Sequence, residues 1–242
     1  MTKPDAIYAR PKSSIAPFDF NSAVVEVFDD MLTRSVPLYH ESIRRQVELS
    51  AHYYQPGTYL YDLGCSNGNF GLEFIRAMGT LPFKMRAIDN STPMLDQYRH
   101  RLKNVNNKNT EICLASIEDY PLDNASVVVI NLTLQFSSSA QRLQLLQRIY
   151  DALVPGGILL LSEKIIHQDD HLNQLQQKWY YKFKKENGYS QLEISQKREA
   201  LENVLIPDSI ELHLQRLNQV GFHQIDVWLK WFNFVSILCV KQ

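Results

Sequence analysis

Tyr59-Leu60-Tyr61-Asp62-Leu63-Gly64-Cys65-Ser66-Asn67-Gly68, followed by Asn69-Phe70-Gly71-Leu72 and the run to Met78, is the stretch on which the fold turns. Tyr59 to Leu63 reads as a short strand, Gly64 to Gly68 as a tight turn and Phe70 to Met78 as a helix. The same grammar repeats outward. Phe83 to Ile88 reads as a second strand, and Ser91 caps a helix that starts Thr92-Pro93-Met94. Thr110 to Leu114 is a third strand. Ser126 to Leu132 is a fourth, continuous and rich in β-branched residues, as a strand covered on both faces should be. Ala140 to Leu153 is a helix that Pro155-Gly156-Gly157 should end before a fifth strand, Ile158 to Ser162. Helices are expected over 168–186, 190–204 and 207–220. Phe222 to Leu229 and Phe232 to Val240 then read as an antiparallel edge pair. The alternation predicts an α/β fold: a doubly wound, mostly parallel, seven-stranded Rossmann-like sheet with an antiparallel C-terminal hairpin.

Ahead of this unit lie two helical patterns, one carried by Val24, Val25, Val27, Phe28, Met31 and Leu32, the other running from Pro37 to about Tyr54. Residues 1–18 hold three prolines and few apolar anchors and are expected as a flexible N-terminal arm. Residues 19–242 are expected as a single domain. Within it, 168–204 is read as a helical insertion that covers the site or forms a dimer interface.

Composition bounds the function. The chain has 25 basic and 26 acidic residues and a formal net charge of −1, so no global pull toward nucleic acid or anionic membrane is expected. Cys65, Cys113 and Cys239 are odd in number and far apart, neither a disulfide framework nor a metal-ligand spacing. Met1 to Lys12 lacks the apolar core of a signal peptide, and no run approaches the roughly 20 apolar residues of a membrane span. A reducing, cytoplasmic compartment follows as the expectation.

Three strand tips carry polar residues that a glycine turn alone does not require: Asp62, Asp89 and Asn131. A dinucleotide enzyme would want Gly-x-Gly-x-x-Gly, whereas this loop is Gly-x-Ser-x-Gly and Asp62 would sit poorly beside phosphates. The same spacing matches the nucleophile elbow of α/β-hydrolases, which would leave Asp89 idle. Binding of S-adenosyl-L-methionine (SAM) accounts for all three. Asp62 suits the amino acid moiety, Asp89 accepts hydrogen bonds from a ribose diol, and Asn131 lies beside the sulfonium.

The resemblance to a known family runs through most of the chain. Arg34-Ser35-Val36-Pro37, Tyr61 to Ser66, Ile88 to Ser91, Asn131 to Phe136 and Leu161-Ser162-Glu163-Lys164 resemble the bacterial carboxy-S-adenosyl-L-methionine (carboxy-SAM) synthases. So do Asn187-Gly188-Tyr189-Ser190, Glu193 to Arg198, Leu201 to Val204, Trp228 and Phe232-Asn233-Phe234. The resemblance implies a dimeric class I methyltransferase-like fold. It implies conversion of SAM and prephenate to carboxy-SAM and phenylpyruvate, the product serving a partner enzyme that modifies the tRNA wobble uridine. It places nucleoside contacts on Tyr39, Gly64, Cys65, Ser66, Asp89, Asn90, Ser116, Ile117 and Asn131. Arg198, supplied by the other subunit, would hold the product's new carboxylate, so a two-fold homodimer is expected. Three places depart from the family pattern. Leu38 stands where glycine is usual, Asn67 and Asn69-Phe70 replace small residues, and Ser116 replaces an aspartate that caps the adenine amino group.

The chemistry implied is unusual for a SAM enzyme. A sulfonium makes its methyl group slightly acidic, and loss of a proton gives an ylide able to attack carbon dioxide released from prephenate, in a site that excludes water. The proton acceptor is not assigned. Arg198, with Tyr39, is the catalytic candidate, because a guanidinium binds carboxylate bidentately; its plainer role would be a surface pair with Glu202 at i+4. Tyr39 is either aromatic core or a hydroxyl reaching the ligand, and Arg34 either binds a substrate carboxylate or serves the helix end. Lys178 to Lys185 mixes lysines with aromatics but reads as a helix with Trp179, Tyr180 and Phe183 inward and lysines outward, so no direct nucleic-acid binding is expected. His167 and His171 lack a third ligand, and no metal is expected.

Overall fold

The computed structural model describes residues 3–105 and 109–242. Its strands in chain order are β1 (Tyr59–Leu63), β2 (Met85–Asp89), β3 (Thr110–Leu114), β4 (Ala125–Asn131), β5 (Leu153–Ile166), β6 (Asp208–Ser209), β7 (Gln224–Trp231) and β8 (Phe234–Val240). The helices are α1 (Ser22–Ser35), α2 (Tyr39–Tyr53), α3 (Asn69–Met78), α4 (Thr92–Leu102), α5 (Ser139–Ala152), α6 (Asp170–Glu186), α7 (Gln191–Leu201) and α8 (Ile210–Gln219), with one 3₁₀ turn at Leu134–Phe136. The main sheet has the order β3-β2-β1-β4-β5-β8-β7. Neighbouring strands from β3 to β5 are parallel, and β8 is antiparallel to both of its neighbours. This is the predicted mixed α/β sheet.

Alternation along the strands assigns the two faces. Tyr61, Leu63, Val128, Ile130, Leu159 and Leu161 pack toward Leu145, Leu146 and Ile149 of α5 and Leu217 of α8. Leu60, Val127, Val129, Ile158 and Leu160 pack toward Ile43 and Val47 of α2 and Phe70, Phe74 and Ile75 of α3. Every residue of β4 except Asn131 is buried, so the hydrophobic gain runs the full width of the central sheet.

The chain leaves β1 toward β2 and β3, then returns to the other side of β1 as β4. Loops diverge there and open a crevice at the carboxyl ends of the strands, where ligands bind in doubly wound sheets. Two glycines shape it. Gly64 has φ +81°, and a Cβ there would lie 2.2 Å from Thr133 Oγ1; Gly68 has φ +86°, and a Cβ would strike the Tyr98 ring.

Several boundaries differ from expectation. Pro155-Gly156-Gly157 does not precede the fifth strand but lies inside it. β5 starts at Leu153, pairs with Ala125, and bulges before Val127 meets Ile158. The short β6, which extends β5 beside Ile165 and Ile166, carries no sequence signal of its own. α2 starts at Tyr39 rather than Pro37, because Leu38 is left-handed at φ +55°.

The expected arm is also corrected. Residues 3–18 form no helix or strand, yet Asp5, Tyr8 and Phe18 are buried. Gln196 of α7 accepts from Lys12 N and donates to Tyr8 O and Arg10 O, while Phe18 N donates to Ala200 O. Polar stitching of this kind has no hydrophobic period, so composition underrates it. Residues 1 and 2 lie outside the described residues. No helix among the described residues is long and apolar enough to cross a membrane.

Candidate functional site

A cavity of about 240 Å³ opens at the switch point. Of the residues named from sequence, Tyr39, Gly64, Cys65, Ser66, Asp89, Asn90, Ile117 and Asn131 line it. Ser116 does not. Its hydroxyl turns to Glu118, which lines the cavity and also accepts from Ser137 Oγ. Arg198 is exposed and outside its own chain's cavity, and no ion pair joins it to Glu202 among the described residues. Its neighbour Lys197 lines the cavity instead.

Asp62 is buried one residue before the end of β1. One carboxylate oxygen, Oδ2, has no hydrogen-bond partner, and burial, with Asp89 nearby, pushes its pKa up to about 8. Asp89 closes β2, accepting from Ser66 N (2.9 Å) on Oδ2 and from Ser91 N (2.8 Å) on Oδ1. Each oxygen keeps capacity for a further donor. Burial raises its pKa while the backbone donors oppose the rise.

The departures around the glycine loop form one network. Asn67 and Asn69 each donate to Asp29 Oδ1 at 3.0 Å. Asn69 also donates to the Tyr39 hydroxyl (3.1 Å) and accepts from Arg101 (2.7 Å). Tyr39 is buried, lines the cavity and has its hydroxyl engaged by Asn69, and burial lifts its pKa. Arg34, in the last turn of α1 and outside the cavity, bonds Asp30, the Asp5 carbonyl and the Asn187 carbonyl, and stacks over Tyr189.

The loop after β4 is held by Glu163 of β5, which accepts from Thr133 N (3.1 Å), Leu134 N (2.8 Å) and Gln135 N (3.0 Å). Burial still pushes Glu163 up to about 8 against those donors. Fully buried Arg142 braces the same loop from behind, donating to the carbonyls of Gln135 and Ser137 and to Asp208. Phe18, Phe20 and Phe136 roof the cavity, with Phe20 in edge contact with the other two rings at 5.2 Å. Sequence reasoning missed Phe18, Phe20, Glu118, Lys164 and Lys197. For the two phenylalanines, the pair at i and i+2 beside the arm was the available signal.

The insertion supplies the far wall through Tyr180, Lys197 and Leu201. Here the sequence expectation fails in detail: Lys184 is buried, whereas Trp179 is exposed and stacks on Phe232. Phe183 contacts Trp231. His167 precedes α6 and binds Asp169 N, so it shares no helix face with His171.

A sequence model described as a methyltransferase domain matches residues 60–157. The human N-acetylserotonin methyltransferase structure in complex with SAM superposes with a TM-score of 0.61 at 16% identity, over 91% of this chain and 55% of that one. An O-methyltransferase family protein from Burkholderia thailandensis gives 0.67 at 13% identity, over 95% and 65%. Both likenesses concern the fold. At the sequence level, the carboxy-SAM synthase of Desulforapulum autotrophicum is 51% identical, over 99% of this chain and 97% of that one.

The chain belongs to the carboxy-SAM synthase family.

Other members agree along their whole length. The synthase of Trichlorobacter lovleyi is 44% identical over 99% of both chains, and that of Aliivibrio fischeri 43% identical over all of both. Ahead of α2, Leu38 holds φ +55° with a half-exposed side chain, a backbone that glycine adopts more readily.

Proposed function

We propose that this protein converts SAM and prephenate to carboxy-SAM and phenylpyruvate. The observation that carries the reading is the unpartnered Asp62 oxygen at a buried strand tip, in a cavity of a chain from this family. That oxygen suits the ammonium of the ligand's amino acid moiety. Asp89 suits the ribose diol, Asn131 and Tyr39 face the sulfonium end, and Ile117 with Glu118 meets the adenine in place of Ser116. Prephenate loses carbon dioxide and hydroxide. The S-methyl group loses a proton, and its carbon takes up the carbon dioxide through a new carbon–carbon bond, so that proton and hydroxide leave as water. The aromatic roof and the strap of residues 3–18 exclude bulk water from that carbon.

Arg198 completes the site from a second copy in this reading. Its exposure outside its own cavity supports that. So does the apolar face of Leu172, Leu175 and Trp179 at helical spacing on α6, with Phe232 stacked against it. The product would feed wobble-uridine modification of tRNA in the cytoplasm.

The test is incubation with SAM, with and without prephenate. A product heavier than SAM by one carbon dioxide, formed only with prephenate, is expected. S-adenosylhomocysteine formed with a methyl acceptor, and no prephenate dependence, would instead support an ordinary methyltransferase, the reading favoured by the fold neighbours alone.

A further inference from the structure

The cavity is electrically divided. Its carboxylates come from the β1–β3 side: Asp62 from β1, Asp89 from β2 and Glu118 from the loop after β3. Its lysines come from the opposite side: Lys164 from β5 and Lys197 from α7. β1 and β5 are separated by β4, a span of about 10 Å at ordinary strand spacing. The acidic half suits a ligand carrying a sulfonium and an ammonium. The lysine half suits something of opposite sign.

The lysine half is short of counter-charge. Lys164 Nζ and Lys184 Nζ each stand 5.2 Å from the centre of the buried Tyr180 ring, and Lys184 Nζ is 5.6 Å from that of Tyr189. Lys197 Nζ lies 3.8 Å from Asp5 Oδ2 and over the Phe18 ring at 5.6 Å. Neither Lys164 nor Lys184 has an ion-pair partner among the described residues. Arg34 adjoins the group but is already paired with Asp30. The Asp5 carboxylate is shared with the Tyr189 hydroxyl at 2.6 Å. Three lysines therefore face one carboxylate, and two of them, Lys164 and Lys197, line the cavity. Lysine is almost never buried without a partner, because desolvating an ammonium is costly. Glu163, the next residue to Lys164, faces away and is occupied by the amides after β4.

We propose that Lys164 and Lys197 form a subsite for a dicarboxylate, with Lys184 as a positioning cation behind them, and that its occupant is prephenate. The assignment deepens the proposed reaction and rests on it. Two fixed cations match the two carboxylates of the substrate. They would hold it beside the sulfonium methyl group bound over the acidic half. The depressed basicity of Lys184, down to about 7, and of Lys197, down to about 8, both chiefly by burial, fits cations waiting for an anion.

Lys164→Met and Lys184→Met keep the aliphatic stem and delete the charge, and Lys164→Arg restores a cation. Steady-state kinetics would give KM for prephenate and for SAM. Calorimetric titration of prephenate into protein loaded with S-adenosylhomocysteine, which has no methyl group to react, would give affinity without turnover. The expected result is a rise of about ten- to hundredfold in prephenate KM and Kd for Lys164→Met, with a smaller rise for Lys184→Met. Lys164→Arg should recover part of the loss, and SAM affinity should stay within twofold. Because the deleted charges are unpaired, the methionine variants should melt no lower than the parent. A structural role would instead lower Tm and both affinities together, and that outcome overturns the assignment. Unchanged prephenate affinity in both variants of an active parent also overturns it while leaving the reaction standing. Absence of any carboxy-SAM from the parent protein sinks the reaction and the subsite with it.

Discussion

Leu38 and Asp62 carry strain and a displaced titration at single positions. Leu38 is 50% exposed and left-handed, a conformation that strains a branched side chain and buries little in return. Leu38→Gly should raise stability by about 0.5–1 kcal/mol in chemical denaturation. A loss would mean that the leucine contributes packing the exposed side chain does not suggest. Burial, with Asp89 nearby, lifts the Asp62 pKa to about 8, which favours the protonated carboxyl at neutral pH. A ligand ammonium beside it favours the carboxylate, so SAM binding at pH 7 should release a proton to buffer. Calorimetry in two buffers of different ionisation enthalpy measures this, and Asp62→Asn should abolish the release and weaken binding. The sign for stability runs the other way from an ordinary salt-bridged aspartate. With the folded pKa above the unfolded one, the stabilising contribution is full at low pH and is lost as pH rises toward about 8. Between about pH 5 and 7 the Tm of Asp62→Asn should therefore fall less with pH than that of the parent.

At the scale of elements, the loop after β4 is positioned by residues that never touch the cavity. Arg142 of α5 donates to Asp208 Oδ2 at 2.5 Å, and Arg216 of α8 donates to the same oxygen. One carboxylate thus ties α5, β6 and α8 together while Arg142 holds the carbonyls of Gln135 and Ser137. Burial works against the Asp208 charge, but the two arginines outweigh it and keep its pKa below the usual range. Asp208→Asn should cost about 3–5 kcal/mol by leaving Arg142 buried without its counter-charge, read as a lower denaturant midpoint at unchanged slope. A change under 1 kcal/mol would show that the carbonyls around Arg142 suffice.

The whole molecule raises the question of how many chains build one site. Lys197 faces its own cavity, and the next residue on α7, Arg198, faces outward. Arg198→Ala and Asp89→Ala should each be inactive alone. If sites are shared between two copies, exchanged heterodimers place both defects in one site and leave the other whole, so mixing restores part of the activity. If each chain builds its own site, every site keeps one defect and mixing restores nothing. Lack of rescue in dimers shown to have exchanged would rule out the shared site.

The order of strands and helices and the residues at the tips of β1, β2 and β4 were legible in the sequence. Their signals are local: hydrophobic period, glycine and proline punctuation, and polar residues closing apolar runs. The block from Asn187 to Val204 was equally legible as a family signature. What only the tertiary structure decided depends on contacts between distant segments. The stretch 3–18 is bound because Gln196 and Ala200 meet its backbone, and no pattern within those residues announces it. Pro155-Gly156-Gly157 reads as a stop, yet sits in a strand because a bulge absorbs it beside Lys241, whose backbone pairs with both glycines. Lys184 reads as solvated, but α6 turns it inward and leaves Trp179 outside. Helical periodicity sets which side chains share a face, whereas which face is buried depends on the neighbouring elements, and those are fixed only when the chain has folded.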